Sequence, residues 1–317
     1  MNDHAYLYWE GLTKLASEIT GHERILMGIR PYGFHAGNTL SLLAYPYLLC
    51  EYLRSKGVEP HFKFLISIND WEQSDLSGKD IYTFPFDVEP KHTTLAHAAM
   101  TDSETMADYW QPRIEEQLSV ITRDFPGVSM EFVRNSALKT HPKMHQAIFD
   151  TLKNYREHKQ ILLSQTGVKT VGNDTRFCNV LCETCLGANT DTTIINDNLL
   201  KMTCQECGIT KEVTYEDSDF WLYYKQIFPA RMACLNFDLV ISGSDHYLAK
   251  TFETSKTLYE YIYKEPMPKI KMLFAPLVIA GDGNKMSKSR GNMHDRNLNQ
   301  MLNLARGNGS ESILVSF

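Results

Sequence analysis

Between Ile25 and Ile68 the chain leaves few folds open. An apolar run (ILMGIR) meets a turn containing Pro31, Gly33 and Gly37, then a helix-like segment to Lys56, a stop at Gly57 and a second apolar run, FKFLISI. Two strands joined through a helix run parallel, because a crossover of that length brings the chain back in its starting direction. Such a βαβ unit predicts an α/β fold with a parallel sheet covered by helices.

The alternation continues downstream. Arg113 to Arg123, with Ile114, Leu118 and Ile121 on one face, predicts a helix; VSMEFV predicts a strand, and Met144 to Leu163 a further helix. From Phe177 to Val213 the pattern breaks into short polar and β-branched pieces. DLVIS (238–242), a helix from Tyr247 to Lys264 and KMLFAPLVI then restore it. The expected organisation is one nucleotide-binding α/β domain in two parts, 1–176 and 216–317, around an insertion at 177–215.

That insertion carries Cys182-x2-Cys185 and, eighteen residues on, Cys204-x2-Cys207. Seven cysteines cannot all pair in disulfides, and two Cys-x-x-Cys units at this separation predict a four-thiolate zinc site with a hairpin between its knuckles. A closed site of this kind is structural: apparent binding energies on the order of 10 kcal/mol hold together a piece too small to own a core. Two redox Cys-x-x-Cys pairs are the weaker alternative, because neither sits at a strand-to-helix junction. Cys50, Cys178 and Cys234 are expected to be packing residues.

A net charge of −6 excludes a globally basic nucleic-acid coat, leaving room for a local basic stripe. The longest nearly uncharged stretch, Leu40 to Cys50, is too short to cross a bilayer, and the start has neither a basic region nor a cleavage site. The expectation is a cytoplasmic protein with neither membrane nor DNA as partner.

Two loops carry chemistry. Pro31 to Asn38 follows the first strand and opens a helix, setting His35 and Gly37 at a helix N-terminus, where orphan N–H groups and the helix dipole favour phosphate. Gly37 would let a nucleotide approach the backbone, Asn38 or Thr39 would cap the helix, and His35 would donate to phosphate oxygens. A glycine-rich turn with an incidental histidine is the plainer reading of this loop alone. Dinucleotide (GxGxxG) and Walker fingerprints are absent, which removes dehydrogenases and P-loop enzymes. Near the other end, Lys285-Met286-Ser287-Lys288-Ser289-Arg290-Gly291-Asn292 follows an apolar strand and a Gly281-Asp282-Gly283-Asn284 approach. Ammonium groups on flexible stems suit the β- and γ-phosphates of a triphosphate. A solvated basic turn is the alternative, and the octapeptide is too specific for it.

His35-Ala36-Gly37-Asn38 resembles the HIGH signature of class I aminoacyl-tRNA synthetases, and residues 285–289 match that family's KMSKS letter for letter. Asn in the fourth place, the early Pro-x-Gly, the four-cysteine segment and Gly243-Ser244-Asp245-His246 before a helix resemble the lysyl type, from about Tyr8 through Asn292. The resemblance implies a Rossmann-type core with a zinc ribbon inserted. It implies protein-biosynthesis chemistry: a ligase that uses ATP and Mg2+ to activate lysine as its adenylate and transfers it to a tRNA 3′ end. His35, Asn38, Lys285 and Lys288 would then be catalytic. Gly33, Gly37, Gly243, Asp245, His246, Met286, Ser287 and Ser289 would complete the ATP site. Asp70, past the second strand, is a candidate for the substrate ammonium, with helix capping as its alternative role; Tyr224 and Phe228 are further candidates beside the amino acid.

The chain also departs from that pattern. Ala36 replaces the usual Ile, a mild change on the packing side of the turn. Where lysyl enzymes carry Trp-Arg-Val-Asp-Trp before Pro-Ala-Arg, this chain has Tyr224-Lys225-Gln226-Ile227-Phe228, so Ile227 replaces an acid that a cationic substrate would want. Only 25 residues follow Asn292, fewer than a helical anticodon-binding domain needs, so the expectation is either recognition of the tRNA acceptor stem alone or a different acceptor. Two alternatives share these features: an adenylating ligase with a non-tRNA acceptor, and a non-catalytic paralogue that binds RNA or protein.

Overall fold

The computed structural model describes residues 5–31, 34–72, 94–97, 104–166, 177–281, 283–286 and 297–314. Strand β1 (Ala5–Leu7) leads into α1 (Tyr8–Ala16); β2 (Arg24–Ile29) into α2 (Ala36–Asn38), a π-helical turn (Thr39–Ala44) and α3 (Tyr45–Ser55). Then come β3 (Lys63–Ile68), α4 (Met106–Asp124), β4 (Ser129–Arg134), a 3-10 turn (Ser136–Thr140), α5 (Pro142–Lys153) and α6 (Tyr155–Thr166). Five short strands follow: β5 (Cys178–Val180), β6 (Thr190–Ile194), β7 (Leu199–Cys204), β8 (Thr210–Thr214) and β9 (Phe220–Leu222). The chain returns through α7 (Tyr224–Cys234), β10 (Leu239–Gly243), α8 (Ser244–Leu248), α9 (Thr251–Tyr263), β11 (Lys271–Ala275), β12 (Leu277–Ile279), α10 (Leu298–Ala305) and β13 (Ser312–Leu314).

Six of these strands form one sheet in the order β1-β11-β10-β2-β3-β4, every neighbour parallel. Side chains alternate across it. Ile25, Met27 and Ile29 of β2, with Phe64, Ile66 and Ile68 of β3, pack under α1, α3, α4 and α10. Leu26, Leu65 and Val240 point the other way, into a second cluster with α5, α7 and α9. Both faces are thus covered by helices, which explains why the strands read as nearly unbroken apolar runs. The order reverses between β2 and β10, so loops leaving their carboxyl ends diverge and open a crevice.

Several elements differ from the sequence expectation in instructive ways. The helix predicted from Arg113 begins at Met106, with Thr105 and Asp108 forming a reciprocal capping box and Pro112 inside the helix. The single helix expected over 144–163 is two, parted at Asn154, whose side chain donates to Asp150 Oδ2 at 3.0 Å. The helix expected from Tyr247 is also two, because Lys250 adopts a left-handed conformation (φ 49°). Pro276, which has no N–H to give a ladder, separates β11 from β12, and β12 leaves the main sheet to pair in parallel with β13. Among the described residues no helix is long and apolar enough to cross a membrane.

Candidate active site

A cavity of about 540 Å³ occupies the crevice where the strand order reverses. His35, Gly37, Asn38, Phe228, Gly243, Asp245, His246, Lys285 and Met286 all wall it. Residues from the two loops read as phosphate-binding therefore meet across one space. Gly33, Ser287, Lys288 and Ser289 lie outside the described residues, as does the side chain of Tyr224.

His35 is the N-cap of α2: its Nδ1 accepts from the backbone N–H of Gly37 (3.1 Å) and of Asn38 (3.4 Å). The expectation that Asn38 or Thr39 caps the helix is corrected, because the imidazole folds back to fill that role. With Nδ1 an acceptor, the neutral ring carries its proton on Nε2. Gly37 is glycine for the same reason, since a Cβ there would stand 2.9 Å from His35 Cε1. Ala36 is fully buried behind the turn. The helix then widens into the π-helical turn, a feature frequent beside functional sites.

On the opposite lip, Lys285 sits in a hairpin. It bridges Ile279, while Met286 N–H donates to the Val278 carbonyl at 2.8 Å. Its Nζ meets Asp245 Oδ2 at 3.0 Å. Burial works to raise the Asp245 pKa, but His246 and Lys285 outweigh it and the carboxyl is held below its ordinary value. The His246 pKa is held down, chiefly by burial and against the pull of Asp245. A Cβ on Gly243 would lie 2.6 Å from Asp245 Oδ1, so a larger residue at this strand end would displace that carboxylate.

The β3 side of the cavity holds residues that sequence reasoning passed over. Arg231 of α7 lies buried across β2, its Nη1 donating to Ser67 Oγ (3.0 Å) and Asn69 Oδ1 (2.7 Å). Burial pulls its pKa down to about 10, with Glu72 acting against the shift. Gly28 makes room for it, for a Cβ there would be 3.2 Å from Nη1. Asn69 and Ser67 also bond to Asn135, so a polar network stitches β3 to β4. Glu72 faces the cavity and is ion-paired with Arg30.

Asp70 does not line the cavity. It is fully buried, accepts from the Ser136 N–H at 3.0 Å and from the Ser136 hydroxyl, and so caps the 3-10 turn. Burial raises its pKa, with the Ser136 bonds opposing. Ile227 likewise points away from the cavity into the apolar cluster of α5 and α9, whereas Phe228 and Arg231 of the same helix face the cavity. The loss of an acid at 227 thus alters the core.

Residues 19–308 match the family described as tRNA synthetases class I (K). The chain belongs to that family. Among solved structures, methionyl-tRNA synthetase of Mycobacterium tuberculosis bound by methionyl-adenylate is similar over 93% of this chain and 66% of that one, with TM-score 0.44 and 11% identity. A glutamate tRNA ligase from Elizabethkingia meningosepticum in complex with its amino acid is similar over 85% of this chain and 52% of that one, with TM-score 0.35 and 13% identity. The chain spans between about half and two thirds of the length of these two chains. No curated protein matches.

Outside the cavity, this member of the class I (K) family gathers Cys182, Cys185, Cys204 and Cys207 so that their sulfurs all lie within 4.8 Å of one another. Two of the separations, Cys182 to Cys207 and Cys185 to Cys204, are 3.6 Å. Sulfurs ~2.3 Å from a tetrahedral zinc stand ~3.8 Å apart, so the donor set fits that ion. The two knuckles repeat one backbone plan. Leu186 N–H returns to the Cys182 carbonyl and Gly208 N–H to that of Cys204, and both residues are left-handed, at φ 55° and φ 72°. Burial acts to raise the Cys182 thiol, but the N–H groups of Cys185 and Thr184 outweigh it and bring its pKa to about 7. Strands β6, β7 and β8 form an antiparallel sheet that carries these knuckles. Cys178 and Cys50 are buried in apolar surroundings; Cys234 is half-buried.

Proposed function

We propose that the chain activates an amino acid with ATP and passes the aminoacyl group to a tRNA 3′ end, and that the amino acid is lysine. The supporting observation is the meeting of His35 and Lys285, from opposite ends of the sequence, across one cavity at the sheet's reversal point. The family match supports the reaction class, and the letter in its description supports lysine. The substrate carboxylate attacks the α-phosphorus, a P–O bond breaks and pyrophosphate departs; a ribose hydroxyl of the acceptor then attacks the carbonyl carbon and AMP leaves. His35 Nε2–H donates to a phosphate oxygen as charge builds on it. Lys285 exchanges Asp245 for the triphosphate, and Lys288 joins it in stabilising departing pyrophosphate. Mg2+ would arrive with ATP and would neutralise phosphate charge.

The ribbon at 177–215, set between domain parts 1–176 and 216–317, holds zinc structurally through its four thiolates in this reading. A cytoplasmic setting accompanies it, because a reducing compartment keeps thiols available to metal. The test is exchange of labelled pyrophosphate into ATP with each common amino acid in turn, without and with tRNA. Exchange with lysine alone is the expected result. Exchange with a different amino acid removes lysine, and no exchange with any removes the activation reading.

A further inference from the structure

Two carboxylates line the cavity among its described residues, Asp245 and Glu72. Asp245 is engaged by Lys285 on the β10 side, the side of the loop read as closing on triphosphate. Glu72 lies on the β3 side, in the turn after that strand. Its side chain is 7% exposed and its Oε2 pairs with Nε of Arg30, whose side chain is 46% exposed. A carboxylate taken that far out of water is costly unless a cation compensates it. Here the compensating cation stands at a half-exposed position on the segment joining β2 to His35. Arg231 is near enough to Glu72 to be felt electrostatically, but its hydrogen bonds run from Nη1 to Ser67 and Asn69 and none reaches Glu72.

We propose that Glu72 receives a primary ammonium group of the amino acid substrate, and that Arg30 keeps its place until the substrate arrives. The inference rests on the amino-acid activation reading. The site is preformed and already desolvated, so an entering ammonium has to better only a partly hydrated guanidinium contact. Arg30 is therefore a built-in competitor.

The test combines steady-state pyrophosphate exchange with calorimetric binding on the full chain. Glu72→Gln, which keeps size, is expected to raise KM for lysine roughly 100-fold and to leave KM for ATP unchanged. Arg30→Gln is expected to lower KM for lysine several-fold, a gain that a structural role for the ion pair would not produce. Calorimetry then compares lysine with norleucine, which keeps only the α-ammonium, and with 6-aminohexanoate, which keeps only the distal one. If Glu72→Gln weakens lysine and 6-aminohexanoate alone, Glu72 holds the side-chain ammonium; if it weakens lysine and norleucine alone, it holds the α-ammonium. Unchanged affinity for all three overturns the proposal while the parent reading stands. A wild-type protein that neither binds nor exchanges any amino acid overturns the parent reading, and the proposal with it.

Discussion

His35 caps α2 through Nδ1, which leaves Nε2–H for the donor role proposed above, and Gly37 is the residue that leaves room for the ring at the helix start. The two roles separate on substitution. Asn is among the best N-caps, so His35→Asn is expected to leave stability within about 0.5 kcal/mol while losing the Nε2–H. Pyrophosphate exchange should fall by roughly 100-fold or more, with the thermal midpoint unchanged; a parallel loss of both would reduce His35 to a cap. The meeting of His35 and Lys285 at one cavity was foreshadowed in sequence because each sits in a short signature of near neighbours in the chain. Glu72, Arg30 and Arg231 were not, since a charged residue gains meaning only from what faces it, and here β2, β3 and α7 supply the faces. The signal available for Glu72 was its place, two residues beyond the candidate Asp70 in the same strand-end turn. Asp70, whose capping alternative the structure bears out, and Ile227 gained their surroundings in the same way, because the backbone turned their side chains into the interior.

At the level of elements, hydrophobic periodicity placed five of the six strands of the main sheet, but missed the edge strand β1, the break at Pro276 and where helices break. Lys250 takes a backbone conformation that no hydrophobic pattern encodes, and Pro276 ends one ladder and lets another begin. The described segment 94–97 joins the body through His97, whose Nε2 is 2.7 Å from Asp219 Oδ2. That bond to Asp219 raises the His97 pKa, with burial opposing, and the same bond lowers the Asp219 pKa. A histidine raised on folding contributes stability that is full below its unfolded pKa and fades as pH rises through the folded one. The carboxylate's share is present above its unfolded pKa and is lost as pH falls through the depressed folded value. His97→Gln should therefore cost most in the mildly acidic window, near pH 5 to 6, and least above neutrality. Urea midpoints of both proteins across pH 4.5 to 9 check this; a constant difference would mean the pair contributes no linkage.

Across the whole molecule the two faces of the sheet own separate apolar clusters, and the cysteine knuckles belong to one of them. Cys182, Leu200, Met202 and Cys204 share a continuous core with Met144, Phe177, Phe220 and Phe252. An appended module would melt alone, whereas this arrangement would tie a zinc held by the four thiolates to the body. Stripping the metal with a strong chelator, or Cys204→Ala, is expected to lower a single cooperative thermal transition by about 10 °C, in step with metal content by atomic emission. Two resolved transitions, or full metal content in the variant, would contradict that coupling. On the other face, β13 pairs with β12 at Ser312 to Leu314, and Val278 of β12 accepts from Met286 beside Lys285. The chain's last described strand is thus a handle on the lysine hairpin. Any push or pull on residues 312–314 would have to pass through three paired residues and one hydrogen bond to reach the mouth of the cavity.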